Sequence, residues 1–466
     1  MASHSFSGNY MILRPEEVSI RDLLGILCNC DFAQKAFVEF PIGREENLPR
    51  RWLLFISLLA QKVLQRMERP MSWFGSACEM ALNILSCNHN FFVLLLRVLQ
   101  KKVIVPGRTS DMFLSFVGNS DKRVQLDNSI KNGDSRYYAM LCAMASKLSY
   151  ENKVVVENTV RDCWKMELIG YYDFWNDFQR KYTTQGFMFH DKTADPDVII
   201  IAFRGTELFD ADAWCTDIDI SWYELPGMGK IHGGFMKALG LLIGQGWPPE
   251  TEQDSDRPLA YYTIRENLRQ LLKANSKTNF ILTGHSLGGA LAILFAAVLA
   301  LHEETFLLKR LEGVYTFGQP RVGDEEFKMF MEKQLYAYGI KYLRFVYSHD
   351  VIPRLPSDDF TFLFKHFGTC LYFNSFYQGK IVEEEPDKNY MSPWVIIPRM
   401  INAFWELLRS FIIPYIKGPD YSETWLLKLI RFVGLALPGL AAHNPHDYIN
   451  TTRLGSHDIY LRVQER

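Results

Sequence analysis

The 466-residue sequence lacks the signatures of several large classes of protein. Its 51 basic and 53 acidic residues leave a net charge of −2, so no excess of one sign points to nucleic acid as a partner. The first six residues, MASHSF, contain no basic region followed by an apolar core. We therefore predict that no signal peptide is present and that the protein is intracellular and not secreted.

The cysteines give no sign of a zinc site. The sequence has eight of them, with spacings that resemble no zinc module. Without a secretory signal they are expected to be reduced, buried thiols and not disulfides. No metal site is therefore predicted.

Long apolar runs are also missing, although 48% of the residues are hydrophobic and 14% aromatic. No run reaches the roughly 18 consecutive apolar residues of a membrane-spanning helix. In the predicted N-terminal region, 1–130, segments 52–60 and 91–99 are strongly apolar and are followed by basic residues. This pattern is typical of helices that lie in a membrane interface, but a buried helix pair packed on the main domain would also show it.

A second apolar region lies in the predicted insert near 380–437, after an acidic loop. Prolines interrupt it, so it cannot be one spanning helix. It is either a second lipid-facing surface or a cap over a pocket. The interrupting prolines are Pro393, Pro398, Pro414 and Pro419.

The strongest local pattern is residues 279–290, NFILTGHSLGGA. An apolar strand runs into a sharp turn with Ser286 at its apex, and a long alanine-rich helix follows. This arrangement is the nucleophile elbow of serine hydrolases. Gly284 and Gly288, on either side of His285 and Ser286, remove the Cβ atoms that would collide in so tight a turn. The backbone N–H of Leu287, at the helix N-terminus, can face an anion.

Strands and helices alternate from about residue 135 onward. The segment 197–203 is apolar throughout, as a strand covered on both faces would be. The alternation predicts a mainly parallel sheet with helices on both faces. The predicted strands are 186–190, 197–203, the elbow strand, 313–318 and 342–347.

A serine nucleophile needs a base and an acid, and in α/β-hydrolases the chain order is serine, acid, histidine. Asp350 lies just after the strand that ends at Tyr347, where a carboxylate can orient an imidazole. Position favours His443 or His446 as the base over His366 and His457, and the residues alone leave these two open.

An oxyanion hole needs a second N–H from a loop after an earlier strand. Arg204, Gly205 and Thr206 follow the strand that ends at Phe203. Gly205 permits a close approach of the backbone, and Thr206 can offer its N–H. For Arg204 we predict a structural ion pair.

Five motifs, in this order, resemble those of the class 3 (fungal-type) lipases. The resemblance covers roughly residues 135–455. The N-terminal segment and residues 443–455, HNPHDYINTTRLG, further resemble plant oil-body lipases, which hydrolyse stored triacylglycerol. The motifs are 202–206 (AFRGT), 231–235 (IHGGF), 284–289 (GHSLGG), 315–323 (YTFGQPRVG) and 350–356 (DVIPRLP).

The resemblance implies an α/β-hydrolase fold without a metal or cofactor. It implies Ser286 as nucleophile, Asp350 as acid, and Thr206 and Leu287 as oxyanion donors. In the family the base precedes a tyrosine near the C-terminus, which favours His443, with His446 as the alternative. The segment near 208–222 corresponds to a lid, and its alternating apolar and acidic residues suit a flap that hides an apolar face.

We therefore predict two regions: an N-terminal apolar, lipid-associating region over 1–130 and an α/β-hydrolase domain over 131–466. The predicted activity is hydrolysis of triacylglycerol, and also of diacylglycerol and monoacylglycerol, on lipid droplets or membrane surfaces. One alternative is a phospholipase A1 or galactolipase, because the same motifs serve both. Another is a lipase-like scaffold without catalysis, against which the complete set of triad residues argues. The sequence specifies no oligomeric state.

Overall fold

The computed structural model describes residues 9–28, 36–40, 51–241, 247, 250–251, 254, 256–275, 277–356, 364–387 and 396–464. Two of the predicted regions extend beyond these residues. Residues 1–8, 29–35 and 41–50 of the N-terminal region and 388–395 of the insert, which includes Pro393, lie outside the described part of the chain.

Strands and helices alternate through most of the described chain. The strands are β1 (Asn9–Leu13), β2 (Val38–Glu39), β3 (Glu167–Asn176), β4 (Lys181–Asp191), β5 (Val198–Phe203), β6 (Trp222–Leu225), β7 (Gly229–His232), β8 (Asn279–His285), β9 (Leu311–Phe317), β10 (Lys341–Tyr347), β11 (Thr369–Phe373) and β12 (Gly379–Val382). The helices are α1 (Ile20–Leu27), α2 (Arg51–Cys87), α3 (Phe91–Leu99), α4 (Phe116–Ser120), α5 (Tyr137–Leu148), α6 (Lys153–Asn158), α7 (Ala211–Ile218), α8 (Gly233–Ala238), α9 (Ala260–Ala274), α10 (Leu287–Leu301), α11 (Thr305–Leu308), α12 (Glu325–Tyr338), α13 (Ile396–Lys417), α14 (Trp425–Gly434), α15 (Pro445–Leu454) and α16 (His457–Gln464).

An eight-stranded sheet forms the centre of the molecule, in the order β12-β11-β10-β9-β8-β5-β4-β3. The five inner strands, β5, β8, β9, β10 and β11, pair in parallel. Antiparallel strands β4 and β3 extend one edge, and β12 extends the other. The predicted strands all lie in this sheet, and the prediction of a mainly parallel sheet is confirmed.

Helices cover both faces of the sheet, as strand β5 shows most directly. All six of its residues are buried, because side chains alternate between two covered faces. Ile199, Ile201 and Phe203 join the core formed with helices α9 and α10. Val198, Ile200 and Ala202 join the core formed with α5, α15 and α16.

A smaller antiparallel sheet, in the order β2-β1-β6-β7, connects the N-terminal region to the rest of the chain. Strand β1 pairs with β6, so Tyr10 lies opposite Tyr223. Helix α2 packs beside this sheet, where Leu54 and Leu58 are fully buried in a third core with Trp222. The predicted segment 52–60 therefore packs on the hydrolase with one face.

The predicted segment 91–99 differs from 52–60, because it forms helix α3, in which no side chain is buried. Among the described residues, no single helix is long and apolar enough to cross a membrane. Helices α2 and α3 together reach the required length and apolar composition, but they are bent by 88° at the break between them. Exposed apolar side chains on α3 include Phe91, Phe92, Leu95, Leu96 and Leu99.

The insert folds into helices α13 and α14, which pack against each other. Pro398 lies in the first turn of α13, where the backbone N–H would have no partner within the helix in any case. Pro414 lies near the end of α13, just before the helix stops. Thr424 caps α14 by accepting a hydrogen bond from the N–H of Leu427. Much of the outer surface of both helices is apolar, including Ile397 and Phe432.

Buried ion pairs hold this insert against helix α15. Arg409 of α13 and Arg431 of α14 approach the Asp447 carboxylate to 2.8 and 3.1 Å, and Arg431 also binds Glu423 at 2.6 Å. Burial alone would raise the pKa of Asp447, but the charges of Arg431 and Arg409 outweigh burial and lower it. The carboxylate is therefore charged at neutral pH and tied to two helices.

We expect Asp447→Asn to lower the free energy of unfolding by about 3–5 kcal/mol at pH 7, because the buried Arg409 loses its carboxylate partner and the buried Arg431 loses one of its own. Chemical denaturation would measure this. Because folding lowers the pKa of Asp447, its stabilisation is present above the ordinary pKa of an aspartate and disappears as the pH falls through the folded value. Asp458→Asn, at an exposed position of α16, is the control. Equal losses in the two variants would contradict a special role for Asp447.

Candidate active site

Ser286 occupies a strained turn between strand β8 and helix α10. Its backbone has φ 57° and ψ −128°, a conformation that residues with a side chain rarely adopt. The Ser286 N–H donates to the carbonyl of Phe317 at 2.9 Å, which ties the turn to the neighbouring strand β9. The geometry is that of a nucleophile elbow, with the serine at the carboxyl end of a central strand.

Two glycines make this turn possible. A Cβ atom on Gly284 would lie 2.1 Å from the carbonyl carbon of Gly288. A Cβ atom on Gly288 would lie 2.2 Å from the carbonyl oxygen of Phe203, at the end of β5. Neither position has room for a side chain, so the helix can begin directly at Leu287 against the loop after β5.

Asp350 is fully buried just beyond the end of β10. Its Oδ2 atom accepts a hydrogen bond from Nδ1 of His443 at 2.7 Å. The hydroxyl of Tyr448 donates to the same oxygen, and the N–H of Ile352 donates to Oδ1 at 2.9 Å. Because Nδ1 of His443 is bound to the carboxylate, Nε2 is the ring nitrogen left to accept a proton.

His446 lies elsewhere. Its Nδ1 atom is 3.1 Å from Oδ2 of Asp121 and 2.9 Å from Nη2 of Arg123, and Asn450 contacts its Nε2 at 3.1 Å. It is buried away from Ser286, in a network that connects α15 to the segment after α4. Of the two histidines left open by the sequence, only His443 contacts Asp350. The other two candidates also lie elsewhere: His366 binds the carbonyl of Pro353, and His457 is exposed near Asp134.

His285 is a positioning group in this site. Its Nε2 atom donates to the backbone carbonyl of His443 at 2.8 Å, and its Nδ1 atom lies 2.8 Å from the hydroxyl of Tyr150. Burial, with the charge of His443, lowers the pKa of His285 well below its usual range. A neutral ring can donate from Nε2 and accept at Nδ1, which matches both contacts. The elbow thereby holds the backbone of the segment that carries His443.

Thr206 lies in the loop after β5, next to the elbow. A Cβ atom on Gly205 would lie 2.5 Å from the carbonyl oxygen of His285, so the loop touches the strand that leads to Ser286. The Thr206 hydroxyl donates to Oδ2 of Asp217 at 2.6 Å. Arg204 forms its predicted ion pair, with Glu207 at 2.9 Å.

Asp217 carries a partly buried carboxyl group near the end of helix α7. Burial raises its pKa to about 7, although the Thr206 hydroxyl and the charge of His443 act in the opposite direction. At neutral pH this group is therefore divided between its neutral and charged forms. It is the titratable group of α7 that bonds directly to the loop beside Ser286.

The predicted lid segment, 208–222, contains helix α7, which packs against α2. Phe209, just before α7, fits against Gly75 of α2, where an added Cβ would lie 2.5 Å from the Cβ of Phe209. The rings of Phe74 and Phe116 contact the Phe209 ring edge to face, with centroids 5.6 and 5.7 Å away. An aromatic cluster thus joins this segment to the N-terminal region.

A cavity of about 1110 Å³ unites these groups. Its lining includes Thr206, Asp217, His285, Ser286 and His443. Most of the rest of its wall comes from α2, α4, the segment around α7, and α14. The described residues of the chain contain no group of three or more His, Cys, Asp or Glu side chains placed to hold a metal ion.

Comparisons with known proteins place this site in a family. Residues 200–360 match the family model for class 3 lipases. Triacylglycerol lipase OBL1 of Arabidopsis thaliana is 44% identical over 494 aligned positions, which cover 96% of this chain and 95% of the relative. The protein of the same name from Nicotiana tabacum is 41% identical, over 87% of this chain and 83% of the relative. The chain belongs to the class 3 lipase family.

Membership in the class 3 lipases confirms the predicted family and α/β-hydrolase fold, and it makes the chain a serine ester hydrolase. The alternative of a scaffold without catalysis is thereby set aside. Phospholipase A1-IIbeta of Arabidopsis thaliana is also similar, at 29% identity over 35% of this chain and 40% of its own length. The two OBL1 relatives match nearly the whole chain, whereas this phospholipase matches about a third of it.

Several residues of the lipase site were not identified from the sequence. Tyr448 bonds to Asp350, Tyr150 bonds to His285, and Asp217 bonds to Thr206. The family pattern includes a tyrosine after the histidine, here Tyr448, but nothing in the sequence indicates that this tyrosine contacts Asp350. Asp217 is one of several acidic residues in its segment, and no local pattern distinguishes it from the others.

We expect His443→Ala to reduce kcat for a soluble ester such as p-nitrophenyl butyrate by roughly 10⁴-fold, because it removes the imidazole that shares the cavity with Ser286. His446→Ala should keep activity within about tenfold of the wild type and should instead lower stability, because it breaks a buried network. Parallel kinetics and thermal unfolding would check both. A larger catalytic loss in His446→Ala would contradict the assignment.

Proposed function

We propose that this class 3 lipase hydrolyses the carboxylic esters of acylglycerols, with triacylglycerol as the main substrate and diacylglycerol and monoacylglycerol as further ones. The cavity is the observation that carries this function, since it joins Ser286 and His443 to apolar walls. The two OBL1 relatives described above, which align along most of the chain, are named triacylglycerol lipases. Mobilisation of stored oil is the corresponding biological role.

In the proposed reaction, Oγ of Ser286 attacks the ester carbonyl carbon while Nε2 of His443 takes the hydroxyl proton. Asp350, buried and bonded to Nδ1, stabilises the imidazolium that results. The tetrahedral intermediate collapses as His443 passes the proton to the departing glycerol oxygen. Water, activated by the same histidine, then attacks the acyl-serine and releases the fatty acid.

We assign the oxyanion of the intermediate to the backbone N–H groups of Leu287 and Thr206. Leu287 is the first residue of α10, so its N–H has no carbonyl within the helix to bond and sits at the positive end of the helix dipole. The hydroxyl of Thr206 is engaged by Asp217, which fixes the orientation of this residue and leaves its N–H as the donor.

The charges of the cavity favour a neutral ester over a phospholipid. Its described lining contains no lysine or arginine, the side chains that proteins use to bind phosphate groups. It contains several carboxyl groups instead, among them Glu79, Glu207 and Asp217. A phosphodiester close to Ser286 would therefore have no lysine or arginine to bind and would lie near several carboxyl groups. A galactolipid carries no such charge, and the substrate panel below must separate it from acylglycerols.

An apolar rim around the cavity mouth fits a protein that works on a lipid surface, here proposed to be a lipid droplet or an intracellular membrane. Residues that both line the cavity and are exposed belong to α2, the segment around α7, α14 and the loop after it. A surface that exposes such a cluster is typical of an interaction site. The rim residues are Phe74, Leu208, Trp425, Leu429, Val433 and Leu440.

A substrate panel with the wild type and Ser286→Ala tests the function. We expect the wild type to cleave emulsified triacylglycerol and diacylglycerol at least about tenfold faster than phospholipid, because the cavity lacks a partner for the phosphate. We also expect it to prefer them to galactolipid, because apolar side chains form much of the cavity wall. Ser286→Ala should abolish all of these activities and keep the fold, which circular dichroism would verify. A preference for phospholipid or galactolipid, or full activity in Ser286→Ala, would contradict the function or the mechanism.

Binding to artificial droplets tests which apolar surface anchors the chain. Deletion of 1–130 would remove β1 and α2 from the fold, so point variants are preferable. We expect Phe92→Asp/Leu96→Asp in α3 to weaken flotation with triolein droplets by tenfold or more, because each buried side chain contributes about 1.5–3 kcal/mol. Met329→Asp/Tyr336→Asp, at exposed positions of α12, is the control.

The insert is the alternative anchor and has its own matched variant. Ile397→Asp/Ile401→Asp places the same charges on exposed positions of α13. If this variant loses droplet binding while the α3 variant coats droplets like the wild type, the anchor lies in the insert and the assignment to the N-terminal region is wrong.

A further inference from the structure

The cavity beside Ser286 continues as a groove between helices α2 and α14. One wall is a single face of α2, because Gly75, Cys78, Leu82 and Leu85 are three or four residues apart. The other wall is α14, whose lining residues include Leu429 and Val433, one turn apart. Neither helix belongs to the part of the chain that matches the family model, residues 200–360.

The catalytic end of this groove is defined by contacts on both walls. Gly75 of α2 touches Phe209, close to the Thr206 loop. At the other wall, a Cβ on Gly434 would lie 2.8 Å from the Cβ of Ala441, two residues before His443. The N-terminal part of the α2 wall and the C-terminal end of α14 thus meet at the catalytic residues.

Helix α4 forms the floor of the groove, and the residues at its C-terminal end mark the end of the groove far from Ser286. Phe116 and Val117 of α4 line the cavity between the two walls. Thr424, which caps the other end of α14, donates to the carbonyl of Ser120 at 2.8 Å, and Lys122 donates to Ser86 at the end of α2 at 2.7 Å. From Gly75 to Leu85 the wall extends about 15 Å, at 1.5 Å per helical residue.

We propose that this groove binds the acyl chain of the ester that Ser286 attacks, so that α2 and α14 are walls of the substrate site. The assignment rests on the proposed acylglycerol lipase function. The groove starts at the nucleophile, runs in one direction for the length of a long chain, and is walled by aliphatic side chains. An acyl chain bonded to the carbonyl at Ser286 is the part of the substrate that must continue from this point.

Glu79 is the one carboxyl group on the α2 wall between Gly75 and Leu85. Its Oε1 atom accepts a hydrogen bond from the N–H of Phe116 at 3.0 Å, so the carboxyl group is held at the groove floor. Burial, together with the charge of Glu207, raises its pKa to about 7. The neutral form of this carboxyl group, bonded to the backbone, is compatible with an apolar ligand above it.

Bulky substitutions on each wall test the groove, with a matched control on the same helix. Ala81→Trp on α2 and Leu429→Trp on α14 add a ring at the rim of the groove, where both residues are exposed and large changes do not disturb the core. Ala77→Trp makes the same change as Ala81→Trp, and Phe432→Trp places the same final side chain on α14, at exposed positions that do not line the cavity.

Hydrolysis of p-nitrophenyl palmitate and p-nitrophenyl butyrate in detergent micelles is the measurement, because it removes any dependence on droplet binding. We expect both groove variants to lower the palmitate-to-butyrate ratio of kcat/KM by roughly tenfold or more, since a blocked groove excludes several methylene groups. Both control variants should keep the wild-type ratio.

Two outcomes would overturn the assignment, and they are distinguishable. If the wild type cleaves both esters and the groove variants keep its ratio, or if the controls change the ratio equally, the acyl site lies elsewhere while the lipase function stands. If the wild type cleaves neither ester, the proposed function fails together with the groove.

Discussion

The bond between Asp350 and His443 is the contact on which the catalytic half of the molecule depends. Its two partners are 93 residues apart, and the chain between them adds strands β11 and β12 to the sheet, forms the insert helices α13 and α14, and returns. The return is held by buried charges: Asp447 binds arginines of both insert helices, and His446 binds Asp121. The same buried ion pairs therefore stabilise the insert and hold the His443 imidazole in place.

The family core and its additions contribute different properties. Residues 200–360 supply the elbow, the Thr206 loop and Asp350, the parts that the chemistry of ester cleavage requires. The walls of the cavity come largely from outside this range, from α2, α4 and α14. Helix α2, from the N-terminal region, and helix α14, from the insert, thus form the walls of the proposed acyl-chain groove. Each of these two helices has one apolar face that is exposed and another that lines the groove.

Local pattern was sufficient for part of this site. A strand–turn–helix arrangement depends on consecutive residues, so Ser286 and the central strands could be predicted from local sequence. Asp350 could be predicted from its position just after β10. The residues alone did not separate His443 from His446, although the family resemblance favours His443, because only the folded chain shows which of them reaches Asp350. The sequence also did not show what the apolar faces of α2 contact. An apolar helix face has the same spacing whether it meets lipid, a core or a substrate groove.

The bond from Thr206 to Asp217 limits how the segment around α7 can move. Asp217 lies one residue from the end of this helix, and the residue it holds sits beside the nucleophile. If the whole helix swung away, Thr206 would lose its partner at the moment the substrate entered. An opening of this segment that keeps the Thr206–Asp217 bond would have to pivot about the C-terminal end of α7. It would also have to separate the Phe209 ring from the aromatic rings of α2 and α4.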